Sequence, residues 1–427
     1  MAQTNIAPGS LQANRIQSVG LFAANQQRLT MFGRLTGKMP KQADAESNLR
    51  VQSSTEMPIV QVMDLTRLAG DEVTFDLVNP IGGKPIMGGR LAEGLGAKMS
   101  FSQNKLRINQ SRMPISGGDK MTQQRTPIQM GMLARTQARG YMTKLSDQLP
   151  LVHLAGARGS HFNIEWSIPL DSDPDFADIM VNPIKAPSAN RHYMSMGSGI
   201  ERVKAVGGEI DLQTTDIFNM DVLDDVRGMI ESIPLPPSQI NFPGDEQAED
   251  SPLRVMLVST DQFTAFQKST TWRTLVSNAQ ARGAKNPIFT GDVGLWNGIL
   301  IVRMPKPIRF NSGDTIRYCA DLYSETETSI LVPAALGAAG MCVDRALLLG
   351  GQALAQAWGK HSTSGNPYFW SEKWLDHDDK LEVLAGMIHG ISKIRFDMDF
   401  GTGSSPQPTD LGVIVVDTVV KVSAGTY

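Results

Sequence analysis

Asp71-Glu72-Val73-Thr74-Phe75-Asp76-Leu77, with its later counterpart Phe101-Ser102-Gln103-Asn104-Lys105-Leu106-Arg107-Ile108, decides how this chain is read. Val73, Phe75 and Leu77 alternate with Thr74 and Asp76, and Phe101, Leu106 and Ile108 mark a second strand-like run. Between the two runs lie Pro80, Gly82, Gly83, Lys84, Pro85, Gly88, Gly89, Gly94 and Gly96. Glycine and proline at that density cannot hold a packed core. The pattern therefore predicts a long, projecting two-stranded arm with a flexible tip. Such an arm buries little by itself and needs a partner to lie against, which points to an assembly protein.

Upstream, residues 1–55 are polar and weakly patterned. Arg15, Arg28, Arg34, Lys38, Lys41 and Arg50 face only Asp44 and Glu46, so the segment is basic. A leader of this kind is either a solvated tail or an arm lying on DNA or on a neighbouring subunit. Downstream, Thr126 and Gln129 form a capping-box pattern with Pro127 at the first helical position. Ile128, Met132, Ala138, Tyr141, Met142, Leu145 and Leu149 then recur at helical spacing as far as Pro150. That predicts a helix of roughly 33 Å at 1.5 Å per residue.

Residues 166–200 carry Pro169, Pro174, Pro183 and Pro187, and residues 233–252 are proline-rich and acidic, so both are expected to be surface loops. A compact α/β unit follows. Leu253–Val258 reads as a buried strand, Ser259 with Gln262 as a helix cap, and Ile299–Val302 as another strand. A further helix is expected through Trp272, Leu275, Val276 and Ala279 to Gly283, and a last one from Asp344 through Leu347, Leu354 and Trp358 to Gly359. Leu411–Val416 is apolar enough for a strand buried on both faces. No internal repeat is present.

The 427 residues are long enough for two or three packed units, and 41% hydrophobic against 19% charged residues is the balance of a core-forming protein. A formal charge of −3 leaves no global basic field for nucleic acid. Cys319 and Cys342 are isolated, as suits a reducing compartment. Met1-Ala2-Gln3-Thr4-Asn5 lacks the layout of a secretory signal, and no apolar stretch reaches the length of a membrane span. A cytoplasmic protein with no membrane partner is expected.

Catalytic and ligand motifs mostly fail. Gly33 to Gly37-Lys38 is one residue short of a phosphate loop and lacks the following Ser or Thr, and Gly197 and Gly199 are followed by Arg202 rather than a third glycine. Asp171, Asp173 and Asp175 begin like a calcium loop, but Phe176 stands at the turn glycine and Asn182 at the bidentate glutamate. Asp376-His377-Asp378-Asp379 has metal-ligand atoms without distant partners, so turn and capping roles are expected for it. His153 and His161 lie beside Arg158, with no GxSxG elbow to expose a nucleophile. No catalytic residue, metal or cofactor is expected.

Five segments, in order, resemble one family. They are Leu35-Thr36-Gly37-Lys38-Met39-Pro40-Lys41; Met57-Pro58-Ile59-Val60 through Asp71-Glu72-Val73-Thr74 to Gly82-Gly83-Lys84-Pro85-Ile86-Met87-Gly88; Asn286-Pro287-Ile288-Phe289-Thr290-Gly291; Leu349-Gly350-Gly351-Gln352-Ala353-Leu354-Ala355; and Gly390-Ile391-Ser392-Lys393-Ile394-Arg395-Phe396, followed by Leu411–Thr418. Together they resemble the major capsid proteins of tailed bacteriophages, in the N-four-like branch of the Hong Kong-97 type fold.

The resemblance implies an α+β fold and a shell subunit rather than an enzyme. Its parts would be an N-terminal arm (1–55), an E-loop region (56–118), a P-domain with a long spine helix (119–165), an A-domain with inserted loops (166–375) and a return to the P-domain (376–427). Subunit contacts are expected at Gly82, Gly83, Lys84, Gly88 and Gly89 of the hairpin tip and at Arg28, Arg34, Lys38 and Lys41 of the arm. Implied partners are other copies in hexamers and pentamers, a portal protein, a separate scaffolding protein, cement or decoration proteins, and packaged double-stranded DNA held by weak, non-specific contact. The expected location is the virion, assembled in the host cytoplasm. Two alternatives stay open at this point. One is a cellular nanocompartment shell of the same fold; the other is a cytosolic hydrolase using residues 153–161 or 376–379.

Overall fold

The computed structural model describes residues 56–63, 70–78, 101–161, 166–240, 253–270, 294–362, 365–399 and 405–422, with isolated positions at 32, 35–36, 85–88, 91, 93 and 272–273. The first third holds β1 (Ile59–Val62), β2 (Glu72–Val78), β3 (Phe101–Arg107), β4 (Asn109–Asp119), α1 (Lys120–Arg125), α2 (Met130–Ala155) and α3 (Phe176–Met180). Next come β5 (His192–Met196), β6 (Gly199–Arg202), β7 (Ala205–Val206), β8 (Glu209–Ile210), α4 (Met220–Ser232), β9 (Arg254–Val258) and α5 (Thr260–Lys268). Then follow β10 (Gly294–Trp296), β11 (Ile299–Arg303), β12 (Arg309–Phe310), β13 (Thr315–Cys319), β14 (Glu327–Leu331) and α6 (Ala334–Ala338). The chain closes with β15 (Met341–Leu349), β16 (Leu354–Trp358), β17 (Tyr368–Leu375), β18 (Lys380–Lys393), β19 (Arg395–Met398), β20 (Gln407–Asp410) and β21 (Val413–Lys421).

Two larger sheets organise the molecule. One runs β1-β16-β18-β17, with β4 also paired to β18; the other, eight-stranded, runs β10-β11-β9-β15-β21-β5-β6, with β12 paired to β15. Its central strands are buried on both faces, which is why β9, β15 and β21 are mostly apolar. Val413, Val415 and Val419 of β21 enter the main core, while Ile414 and Val416 enter a second cluster under α4 and α5. The expected terminal strand is therefore present and two-faced. So are the strands at β9 and β11 and the Ser259–Gln262 capping box at the start of α5.

The spine helix differs from its expected limits at both ends. Thr126 does not cap α2: its hydroxyl donates to the Ile128 carbonyl, and Gln129 at the N-cap makes no side-chain cap. Asp119 instead caps the short α1, accepting from the Thr122 amide at 2.8 Å. Pro150 does not stop α2, which continues to Gly156 in the left-handed conformation at φ 67°. Every residue from Gln148 to Ala155 is buried, so tertiary packing outweighs the amide bond that proline removes.

The helix expected from Asp344 is instead the strand pair β15 and β16. A short, uniformly apolar run looks the same to helical and strand periodicity, and here burial on both faces selects the strand. Residues 166–200 are not all loop either. Their prolines stop at Pro187, and β5 then pairs in parallel with β21 inside the larger sheet. Likewise, the described end of the proline-rich stretch is held down. Arg191 Nη2 donates to the Leu235 carbonyl at 2.6 Å, Arg254 donates twice to the Pro237 carbonyl, and Ile240 is buried. Residues 241–252, and the expected helix from 274 to 283, lie outside the described residues. Asp376–Asp379 form the turn between β17 and β18, with Asp376, His377 and Asp378 at positive φ.

Candidate assembly surfaces

β2 and β3 pair antiparallel from Glu72↔Arg107 at the root to Val78↔Phe101 at the outer end. Burial falls along this hairpin. Val73 and Leu106 sit in a small cluster with Val62, Ala355, Ala357, Ile394, Phe396 and Met398. Farther out, Phe101 is 65% exposed, Met87 74% and Leu91 75%. Large apolar side chains left open on a thin projection cost free energy in a lone subunit and are covered by an association.

The root is fixed. Asn182 accepts from the Arg107 amide at 2.9 Å and donates to the Arg107 and Ile391 carbonyls at 2.9 and 3.0 Å. Asn104 donates to the Lys393 carbonyl, and the Asp397 amide donates to Ser102 Oγ. Gly390 lies so close to the Arg107 backbone that a Cβ there would collide with it. In the sequence Asn182 stands where a calcium loop would need glutamate, and nothing in its neighbourhood marks it as the clamp of the hairpin.

Of the residues expected at the tip, Gly88 is exposed at φ 70°, and a Cβ there would meet nothing within 4 Å. Gly82, Gly83, Lys84 and Gly89, and the arm residues Arg28, Arg34, Lys38 and Lys41, lie outside the described residues. The leader does touch the body at one point. Phe32 and Leu35 are buried in the main core and Thr36 bridges Ile59, so the 1–55 segment is not simply a solvated tail.

A second open apolar surface surrounds the start of the spine helix. Met121, Ile128, Met132 and Leu133 are exposed there, as are Trp374 and Leu375 at the end of β17. Arg135 ties this end of α2 to β17 through a bidentate pair with Glu372, 2.8 Å for each bond. Helical spacing alone assigns Met132 to the core. Its place in the first helical turn, beyond the sheet that α2 covers, leaves it outside.

Three charged clusters are buried in the body of the molecule. Arg309 pairs with Asp344 and Asp261, and Asp344 also accepts from Ser259 Oγ at 2.6 Å. Arg345 donates twice to Asp417, at 2.8 and 2.9 Å, and Asp417 also bonds His192. Asp410 takes both Arg395 and Lys393, at 2.7 and 2.9 Å. Burial pushes the Asp410 and Asp417 carboxyls up, but the adjacent cations outweigh it and hold both well below the usual range. Burial depresses Lys393 to about 8 despite its pairing with Asp410, and the neighbouring Arg395 charge acts in the same direction. These pairs weld strands far apart in sequence and are closed to solvent.

The residues considered for chemistry are dispersed. His153 is fully buried with Nε2 on the Met180 carbonyl, and desolvation drives it down to about 3. Arg158 lies over Trp166 and donates to the Ile168, Gly159 and His161 carbonyls. Asp171 faces Arg317, and Asp173 accepts from the Asp175 amide, which is loop chemistry. Among the described residues no group of three or more His, Cys, Asp or Glu is placed to hold a metal ion. Cys319 and Cys342 are buried free thiols. Among the described residues, no helix is long and apolar enough to cross a membrane.

A rooted apolar hairpin, a long spine helix on one sheet and a two-faced sheet beside it define a shell-building fold, the Hong Kong-97 type. The chain belongs to the phage capsid protein family, whose model matches residues 5–422. It is similar to the capsid of Ralstonia phage GP4, at 25% identity and TM-score 0.61, over 87% of this chain and 89% of that one. It is also similar to the cyanophage Pam1 capsid, at 14% identity and TM-score 0.61 over 99% and 100%. A third likeness is to the capsid of Helicobacter pylori bacteriophage KHP30, at 11% identity and TM-score 0.55 over 86% and 89%. No curated protein matches the chain. The protein is thus a major capsid protein, a structural subunit of a phage head shell.

Proposed function

We propose that copies of this chain form hexamers and pentamers of an icosahedral head, with the 56–118 region lapping over the adjacent copy and the 1–55 arm lying along it. In this reading residues 119–165 and 376–427 form the P-domain and residues 166–375 the A-domain around each capsomer axis. The observation that carries it is the hairpin, whose root is clamped by Asn182 while Met87, Leu91 and Phe101 stay open. A projection aimed rigidly and tipped with apolar groups fits a head-to-tail contact, which closes into rings.

A separate scaffolding protein is part of the proposal, as are a portal and cement or decoration proteins. Assembly then takes place in the host cytoplasm, and the particular N-four-like branch rests on the five sequence segments. Expression with and without a candidate scaffold, imaged by negative-stain electron microscopy, tests the reading. Closed shells, tubes or uniform rings are expected, and Met87→Asp with Leu91→Asp should abolish them while leaving a folded subunit. A double variant that assembles like the parent refutes the role of the hairpin.

A further inference from the structure

Val181 holds its backbone at φ 65° and ψ −55°, outside the regions that an L-residue occupies without strain. Among the described non-glycine residues at positive φ it is the β-branched one, for which such angles cost most. The Asn182 amide donates to the Met180 carbonyl at 2.7 Å, so residues 180–182 close the γ-turn of the rare, strained kind.

The neighbours on either side keep the reversal at this residue. The Val181 amide donates to the Ala177 carbonyl at 3.2 Å, as the end of α3. Pro183 confines Asn182 to extended conformations, so Asn182 cannot take over the turn. His153 of α2 donates from Nε2 to the same Met180 carbonyl at 3.3 Å, which seats the turn on the spine helix.

The strain aims the side chain that follows. Asn182 accepts from the Arg107 amide and donates to the Arg107 and Ile391 carbonyls, so one side chain ties β3 to β18. Strained backbone persists only while its surroundings over-determine it. Once the Asn182 bonds break, Val181 is free to return to an ordinary conformation. Strain of this kind favours the open root by roughly ten- to a hundredfold over an unstrained clamp with the same bonds.

We propose that Val181 and Asn182 form a strained latch at the root of the hairpin, closed in the free subunit and released when a neighbouring copy draws on the tip. The inference rests on the proposed ring contacts, in which one sequence must reach neighbours set at different angles in hexamers and pentamers. A latch loaded against its own bonds lets the hairpin change angle at the root. The ladder from Glu72↔Arg107 to Val78↔Phe101 stays intact as it does so.

Hydrogen exchange of the unassembled subunit reads the latch directly. The reporters are the Arg107 amide on Asn182 and the Asp397 amide on Ser102 Oγ, with the Val415 amide of β21 as the control for global opening. Glycine adopts the angles of Val181 freely, so Val181→Gly should slow exchange at Arg107 and Asp397 about fivefold or more and leave Val415 unchanged. Asn182→Ala should speed exchange at Asp397. Adding Val181→Gly to it should bring no slowing, because without the clamp the valine is already relaxed. Exchange that is unchanged or faster in Val181→Gly overturns the proposal. Equal slowing with and without Asn182 does so too, since the strain would then lie outside the latch.

Electron microscopy of scaffold-assisted assembly keeps the latch and the ring reading apart. With its latch tightened, Val181→Gly should give a smaller share of closed shells and more tubes or flat rings than the parent. The parent's share of closed shells, with exchange slowed as expected, overturns release on assembly and leaves hexamers and pentamers standing. A parent that never assembles sinks the ring reading and the release with it, while the exchange result still decides the latch.

Discussion

Mild acid should unfold this subunit through its buried histidines before its carboxylates are protonated. His153 and His389 are both fully buried, and desolvation lowers them from 6.5 to about 3 and about 4. His389 bonds Ser111 Oγ through Nε2, and its Nδ1 finds no partner. A histidine whose folded pKa lies below its unfolded one takes up its proton first in the unfolded chain. Its stabilising contribution is therefore complete above about pH 6.5 and is lost as the pH falls toward the folded value. Between pH 7 and 4.5 each of these two groups should remove roughly 2.5 kcal/mol, or roughly 5 kcal/mol together, at 1.36 kcal/mol per pK unit.

Asp410 and Asp417 are held below 3.8, so their contributions are lost only at lower pH and leave this window to the histidines. His192, also lowered by burial, adds to the same slope. Urea unfolding of unassembled subunits, followed by tryptophan fluorescence at a series of pH values, measures the effect. His389→Gln should flatten the dependence by about one proton and His153→Gln by another. A stability that is level from pH 6.5 to 4.5, or a parent and variants with one common slope, would show that these rings are solvated and the reasoning wrong.

Asp417→Ala should cost about 3–5 kcal/mol, because it strands Arg345 without a counter-charge and takes from His192 its carboxylate hydrogen bond in a site closed to water; chemical denaturation reads the loss directly. Ser259→Ala removes both the α5 cap and a bond to Asp344, and a loss of about 1–2 kcal/mol is expected in the same assay. Gly390→Ala should shift the hairpin root off β18, seen as protease sensitivity at residues 70–110 in a subunit whose eight-stranded sheet stays protected from hydrogen exchange.

The sequence announces those parts whose physics is local. Alternation with a glycine-rich centre marks β2 and β3, and Ser259 with Gln262 marks a helix start that needs no distant partner. What stays hidden depends on placement. Asp344 and Arg345 look like a cap and its neighbour until β12 and β21 surround them, supplying Arg309 and Asp417 from far along the chain. Pro150 looks like a stop because nothing nearby reveals that its whole turn is buried. Of the assembly surfaces, the hairpin is legible from composition, but the exposure of Met132, Leu133 and Trp374 is not, because their apolar character matches that of core residues.

The pairing of β4 with β18, and the position of β21 between β15 and β5, also govern how the chain is made. Gln61 on β1 meets Gln356 on β16 across 295 residues, and the larger sheet lacks a central strand until Lys421 has been added. The smaller sheet cannot close before Lys393 has been made, nor the larger before Lys421. At 5–20 residues per second, synthesis of the 295 residues from Gln61 to Gln356 leaves β1 unpaired for roughly 15–60 s. Such long-range pairing is a high contact order, which makes folding slow and aggregation a direct competitor. The subunit's yield in a cell should depend on chaperone capacity before any question of shell geometry arises.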